Sequence, residues 1–571
     1  MTLLSIAARV AGVLAASLLV AAGIAAAQSQ LPDSTAARPA APPLFDTSGG
    51  FNLEAREMLG QQEAVGGLRH ILLDVTITQK GLVVKAPRGY YYTGRDLTAM
   101  GGGVTMVDST VTVVADSAAY YRTAQRMEAF GKVTVEDGSF HVEGKHGAWD
   151  RAADRLVLDG GVTGGEEGRR FSGDRMEWDR VTDSYAIIGH ARYEDPDRNF
   201  ILTGQRLDWD ATGAAVATGE PSLDWIRDGE PLSVTGERLR FDDVGGELDA
   251  AGNVTVKQGR QTVTADSARF LDREGLGWFH GSPRVSDVDG TVTGDSLRVS
   301  FEDAKIDQAV MLGNAVLERR PTAPDLAGEE SRITGDSLTV KFVDGEVEGL
   351  SALGSPTIAY KPSRADSARG TGRIEGKADT IRITIDTGGL NEVRLAGTAS
   401  GRYLYRSSAG ADSIDKVDYA ANRILFKVPE RKIELRGQGQ TDYGTLTLKA
   451  DEIDFDAERE ELTAQPKPIL IDRSRPEEQQ VTGNEVTYDL NSSRGTIYHG
   501  RTQYDTGYLF ADSLRKVTDT ELNAGSGRYT TCDLVGQDQE PHYHFTSRRM
   551  KVYLGDKVVA KPVTLYLGRV P

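Results

Sequence analysis

Over much of the chain, apolar and polar residues alternate one for one. In VTGDSLRVSF from Val292, the apolar Leu297, Val299 and Phe301 are separated by Arg298 and Ser300. In ITGDSLTVKF from Ile333, Leu338, Val340 and Phe342 alternate with Thr339 and Lys341. Met176 with Trp178, Leu207 with Trp209, Leu239 with Phe241, and Ile381 with Ile383 and Ile385 keep the same phase. Side chains two apart on a strand share a face, so a period of two predicts strands with one dry and one wet face.

The alternation sits inside a repeat. Each copy opens on an apolar residue, continues through Thr or Ser, Gly and an acidic residue, and then alternates. FSGDRMEWD from Phe171, LTGQRLDWD from Leu202, VTGERLRFDD from Val234, VTADSARF from Val263, VTGNEVTYD from Val481 and LFADSLRKV from Leu509 are examples. A polar turn and a second strand with a Gly-centred kink follow, as in ELDAAGNVTV from Glu247 and AVMLGNAVLE from Ala309. Mid-chain copies lie roughly 29 to 41 residues apart, a spacing that fits a solenoid with loop insertions. PTAPDLAGEESR from Pro321 and KPSRADSARGTGR from Lys361 are the expected surface insertions. Helical spacing occurs only around Leu53 to Val65, with Gly66 and Gly67 as a stop, and predicts one helix there.

A sheet with one apolar face must be covered by another sheet or fold over itself. The expected architecture is therefore all-β, an elongated twisted jellyroll built of repeats. Its last copies run on without a visible cap, which leaves strand edges able to pair with a neighbour.

Composition narrows the functions. The 571 residues include 64 Gly against 20 Pro, a balance suited to many short strands and turns, and carry a formal charge of -18. So acidic a chain gains nothing from counterion release on a phosphate backbone, which argues against nucleic acid as a partner. Residues 1–27 read as an export signal: Arg9, an apolar run from Val10 to Ala22, and Ala25 and Ala27 before a cleavage point. A retained anchor is the alternative. Residues 28–50 form a Pro-, Ala- and Ser-rich linker, 51–330 and 331–526 are two runs of repeats, and 527–571 is a distinct C-terminal segment. Cys532, the single cysteine, has no partner within the chain, so a buried thiol or an external partner is expected.

Catalytic chemistry finds little support. Gly294-Asp295-Ser296-Leu297 and Gly335-Asp336-Ser337-Leu338 spell the GDSL string of an esterase family, but the string lies within the repeat and decays to Ala-Asp-Ser at Asp116, Asp266 and Asp512. A turn-and-strand element explains it better than a nucleophile. His542 and His544 lie two apart near Cys532, short of a supported zinc set. The expectation is a non-enzyme without metal or cofactor.

The repeated T-G-D/E-x-L copies, with partners such as Ala251-Gly252-Asn253-Val254 and Leu312-Gly313-Asn314-Ala315, resemble the OstA-like domains of lipopolysaccharide transport found in LptA and in the N-terminal part of LptD. The stretch Gly527-Arg528-Tyr529-Thr530-Thr531-Cys532-Asp533, followed by Pro541 to Phe545 and Lys561 to Leu567, resembles the place where the LptD jellyroll meets its barrel. This chain carries one of that family's paired cysteines, and its sequence stops at Pro571 where the family's barrel would follow, so it is expected to be either the soluble half of a longer protein or a barrel-less relative acting as a bridge. The resemblance implies a periplasmic carrier associated with the outer membrane, whose jellyroll interior shelters the acyl chains of lipopolysaccharide. Implied partners are neighbouring Lpt-type jellyrolls, joined by edge-strand pairing, and an outer-membrane barrel or its lipoprotein plug. The expected groove residues are Met176, Trp178, Leu207, Trp209, Leu239, Phe241, Leu297, Val299, Phe301, Leu338, Val340 and Phe342, lining a trough open to water along one seam. Two readings remain beside it: a structural or adhesive solenoid whose apolar face is only core, and an ester hydrolase using a GDSL serine.

Overall fold

The structure is a computed structural model that describes residues 50–571 apart from short stretches, the longest being 63–67, 365–372, 407–413 and 474–478. The export signal and nearly all of the linker lie outside the described residues. Strands and the turns between them account for almost all that is described, with short 3-10 turns at Pro324–Leu326 and Asp533–Gln537. The all-β expectation holds. The chain divides into two compact units, one formed by residues 50–283 with Arg298–Ile306, the other by Arg284–Leu297 with Asp307–Pro571.

The first unit opens with β1 (Asn52–Gln62), β2 (Leu68–Gln79), β3 (Leu82–Tyr92), β4 (Leu97–Asp108), β5 (Val111–Tyr121) and β6 (Arg126–Asp137). It continues with β7 (Phe140–Asp150), β8 (Arg155–Glu166), β9 (Arg169–Asp179), β10 (Ser184–Asp195) and β11 (Phe200–Trp209). Each pairs antiparallel with the next. Where the expected helix around Leu53 to Val65 falls on described residues, the chain is a strand: Asn52 to Gln62 pair residue for residue with β2, apart from the Arg56 position, and 63–65 lie outside the described residues. A neighbouring strand offers this backbone a full ladder of partners, and that outweighs a loose helical spacing in a segment with little apolar surface to bury.

Every strand of the meander runs between two rows of hairpin turns. Lys80-Gly81, Ser109-Thr110 and Gly138-Ser139 form one row, and residues 94–96, 122–125, 151–154 and 180–183 form the other. In the second row Asp150 and Asp179 each accept two backbone N–H bonds from the residues that follow, fixing the turn. Successive turns are tied together by Arg122 N–H to Asp96 O, Arg151 N–H to Gln125 O and Arg180 N–H to Asp154 O.

Midway between the rows each ladder breaks. Left-handed glycines recur every 29 residues at Gly102, Gly131, Gly160 and Gly189, where the register shifts. The acidic residue of the neighbouring repeat copy caps many of these bends. Asp116 accepts the Lys132 N–H beside Gly131, and Asp174 bonds His190 beside Gly189. In the second unit Asp295 accepts from Asn314 beside Gly313, and Asp379 from Thr398 beside Gly397. The bend folds the sheet over itself. In β9 the buried residues beyond the bend, Met176 and Trp178, are out of phase with Phe171 before it, so alternation restarts at each kink. Both half-strands present buried side chains to the interior. That is the jellyroll the pattern predicts, formed by bent strands and not by two separate sheets.

Candidate functional site: the apolar interior

The expected groove residues are brought together in rows across the sheet. In the first unit one row passes in register through Leu158, Met176, Ile187, Leu207, Ala217, Leu239 and Ala250. A second row, two residues nearer the turn on each strand, passes through Trp178, Tyr185, Trp209, Ala215 and Phe241. In the second unit Leu338 pairs with Met311 and Ala352, and the row continues through Ile381, Leu395, Ile424, Leu435 and Ile453. Val340 belongs to the parallel row with Leu350, Ile383 and Val393. Leu297 and Val299 are buried, and Phe301 lies in the strand Ser296–Glu302 with its side chain outside the described residues.

Among the described residues, these side chains do not line a trough open to water. Met176, Leu207 and Val340 have no exposed surface, Trp178 and Trp209 have 6% and 7%, and Phe241 is half-buried. A small void of about 10 Å³ lies between the walls, lined by residues including Met106, Met127, Val133, Trp149 and Leu156. The second wall is formed by residues the alternation did not single out. They are the first letters of the repeat copies, Phe171, Leu202, Val234, Val263, Val292, Ile333 and Ile374, all buried. Their signal was present in the sequence: an apolar residue opens each copy, in most of them three before the acidic cap.

In the first unit the mouth between the turn rows is closed by rings that meet across it. Phe51 stacks on Tyr120 at 6.3 Å, Phe140 meets Trp178 at 5.4 Å, Tyr193 meets Trp209 at 5.5 Å and Phe200 meets Phe241 at 5.3 Å. Burial pushes the Tyr120 and Tyr185 hydroxyls above their usual pKa, so both stay neutral across physiological pH. Trp178, Trp209 and Phe241 thus belong to the mouth, while Met176, Leu207 and Leu239 lie deeper.

The remaining candidates have structural placements. Asp295 of the first GDSL string receives the Asn314 amide at 3.0 Å, and a Cβ on Gly354 would lie 2.2 Å from Asp336 of the second, so both acids are bend caps. Cys532 is a buried free thiol with its Sγ 3.6 Å from His542 Nδ1. The His544 ring stacks on Tyr566 at 5.0 Å. Among the described residues no group of three His, Cys, Asp or Glu side chains could hold a metal ion.

No family model matches the chain, and no curated protein does. A solved structure is similar. It is LptH of Pseudomonas aeruginosa, the LptA-homologous periplasmic component of the lipopolysaccharide transport device, 14% identical over 36% of this chain and 81% of that one, with a TM-score of 0.11.

Proposed function

We propose that the protein is a lipid-handling jellyroll of the lipopolysaccharide-transport type, exported to the periplasm, whose interior takes up acyl chains while sugars and phosphates stay in water. The observation that carries this reading is the continuity of the apolar rows, unbroken from strand to strand within each unit. A chain of methylenes needs such a track, and each one removed from water contributes about 0.8 kcal/mol. The OstA-like resemblance of the repeats points the same way. Because the lining is closed, uptake requires the two walls to part at the mouth and the acyl chain to replace contacts between them. Neighbouring jellyrolls would add by strand pairing at an edge such as β1, which among the described residues pairs with β2, and the C-terminal segment would face an outer-membrane barrel or its plug.

The closed interior also favours a second reading, a structural solenoid in which the same rows are only core. The two separate in a photocrosslinking experiment with lipopolysaccharide. A probe at Phe342, 3% exposed, should crosslink, whereas one at the outward neighbour Lys341, held by Glu348, should not. Equal or absent signal at both positions removes the carrier reading and leaves the structural one.

A further inference from the structure

A buried ion pair crosses the mouth of the first unit beside the aromatic crossings. Arg151 sits in the turn between β7 and β8, yet its guanidinium reaches the opposite turn row. Nε and Nη2 donate to Asp108 Oδ2 at 3.1 and 2.9 Å, Nη1 donates to the Gln79 carbonyl at 3.3 Å, and Nη2 also donates to the Lys80 carbonyl at 3.1 Å. The Arg and Asp side chains are 1% and 5% exposed. On the same row Tyr120 donates to the Gln79 side chain, so Gln79 is held from two turns.

This is an unusual place for a buried ion pair. Taking both charges out of water costs several kcal/mol per ion, and apolar side chains of the same volume often serve stability as well or better. Rings close the rest of the mouth without that cost. A fully bonded charge pair does what a ring contact cannot: it holds two opposed edges in one geometry and releases them together when the bonds are exchanged for others. Two residues before Asp108 and Arg151 in the chain, Met106 and Trp149 line the small void together with Met127. Methionines repack readily around a flexible guest. The Trp149 Nε1–H is buried without a hydrogen-bond partner, a donor available to an acceptor that the protein itself does not supply.

We infer that Arg151 and Asp108 form a latch over an acyl-binding pocket centred on Met106, Met127 and Trp149, and that an acyl chain carrying an ester or carboxyl oxygen enters where this latch opens. The inference rests on the lipid-handling reading and adds where and how the closed jellyroll admits its guest. In the closed state the guest finds the pocket only in the fraction of molecules with the latch open, so the apparent affinity falls by that fraction. On opening, the guanidinium exchanges its carbonyl and carboxylate partners for water or for an anionic group on the guest. The Trp149 indole then donates to the acyl oxygen.

The test uses the full chain with a fluorescent twelve-carbon fatty acid, and purified lipopolysaccharide as competitor. Arg151→Met with Asp108→Asn removes both charges and avoids a stranded carboxylate. Arg151→Lys keeps the charge and loses the forked bonds, and covers the case in which the double variant does not fold. With either variant folded by circular dichroism, association of the probe should accelerate about ten-fold. Trp149→Phe should leave the association rate unchanged and raise dissociation for the fatty acid but not for a plain alkane probe. Binding by every variant at the parent's association rate overturns the latch while sparing the carrier reading. Failure of parent and variants alike to bind either lipid overturns both.

Discussion

At the scale of single residues, the repeat motif describes a bend. The bend Gly is required twice: its φ is positive, and a Cβ there would collide with the acidic cap of the adjacent copy. At Gly313, φ is +71° and an added Cβ would lie 2.2 Å from Asp295 Oδ2. Gly313→Ala should therefore lower stability by about 1–3 kcal/mol in urea unfolding. Combining it with Asp295→Ala should recover the overlap and leave only the backbone cost, so the two changes should couple. Ser296→Ala, which leaves the cap intact, should stay within about 0.5 kcal/mol of the parent. His544 gives a pH dependence. Burial holds its pKa below the usual 6.5, with Arg528 adding to the effect. The unfolded chain then takes up this proton first as pH falls. The stability the neutral ring contributes is complete above 6.5 and is lost between 6.5 and the lowered folded value. Urea midpoints measured from pH 7.5 to 5 should fall less for His544→Phe than for the parent, and an identical slope would exclude this origin.

At the scale of elements, period-two alternation specified each inner face correctly but only on one side of the kink. Met176, Trp178, Leu207 and Trp209 were legible because they alternate with charged residues. Alternation does not mark Phe171 and Leu202, because the bend breaks the phase between them and the run that follows, and only their place at the start of each copy does. The segment from Leu53 misled for the opposite reason: its strand keeps much of its surface in water, so its side chains carry little periodic signal. The rows across the sheet are the units of packing, and their members should be intolerant of truncation. Ile187, fully buried between Met176 and Leu207, should lose about 2–5 kcal/mol on change to Ala in urea unfolding.

At the scale of the molecule, repeats that touch only their sequence neighbours make stability a sum of local terms. Gly131→Ala, which would place a Cβ 2.1 Å from an Asp116 oxygen, should accelerate amide hydrogen exchange in β5, β6 and β7. Amides in the strand Glu330–Val343 of the other unit should exchange as in the parent. Uniform acceleration through both units would mean that they unfold as one. The sequence by itself determined the strand content, the one-sided faces and the Gly–acid bends, because each depends on residues within a few positions or on a neighbouring copy of the same motif. Only the tertiary structure decided that the faces close on each other, and that Arg151 reaches Asp108 and Gln79 across the mouth. Those contacts join turns 43 and 72 residues apart, and nothing local in either turn encodes them. They exist because the bends fold the sheet back and bring the two turn rows within reach.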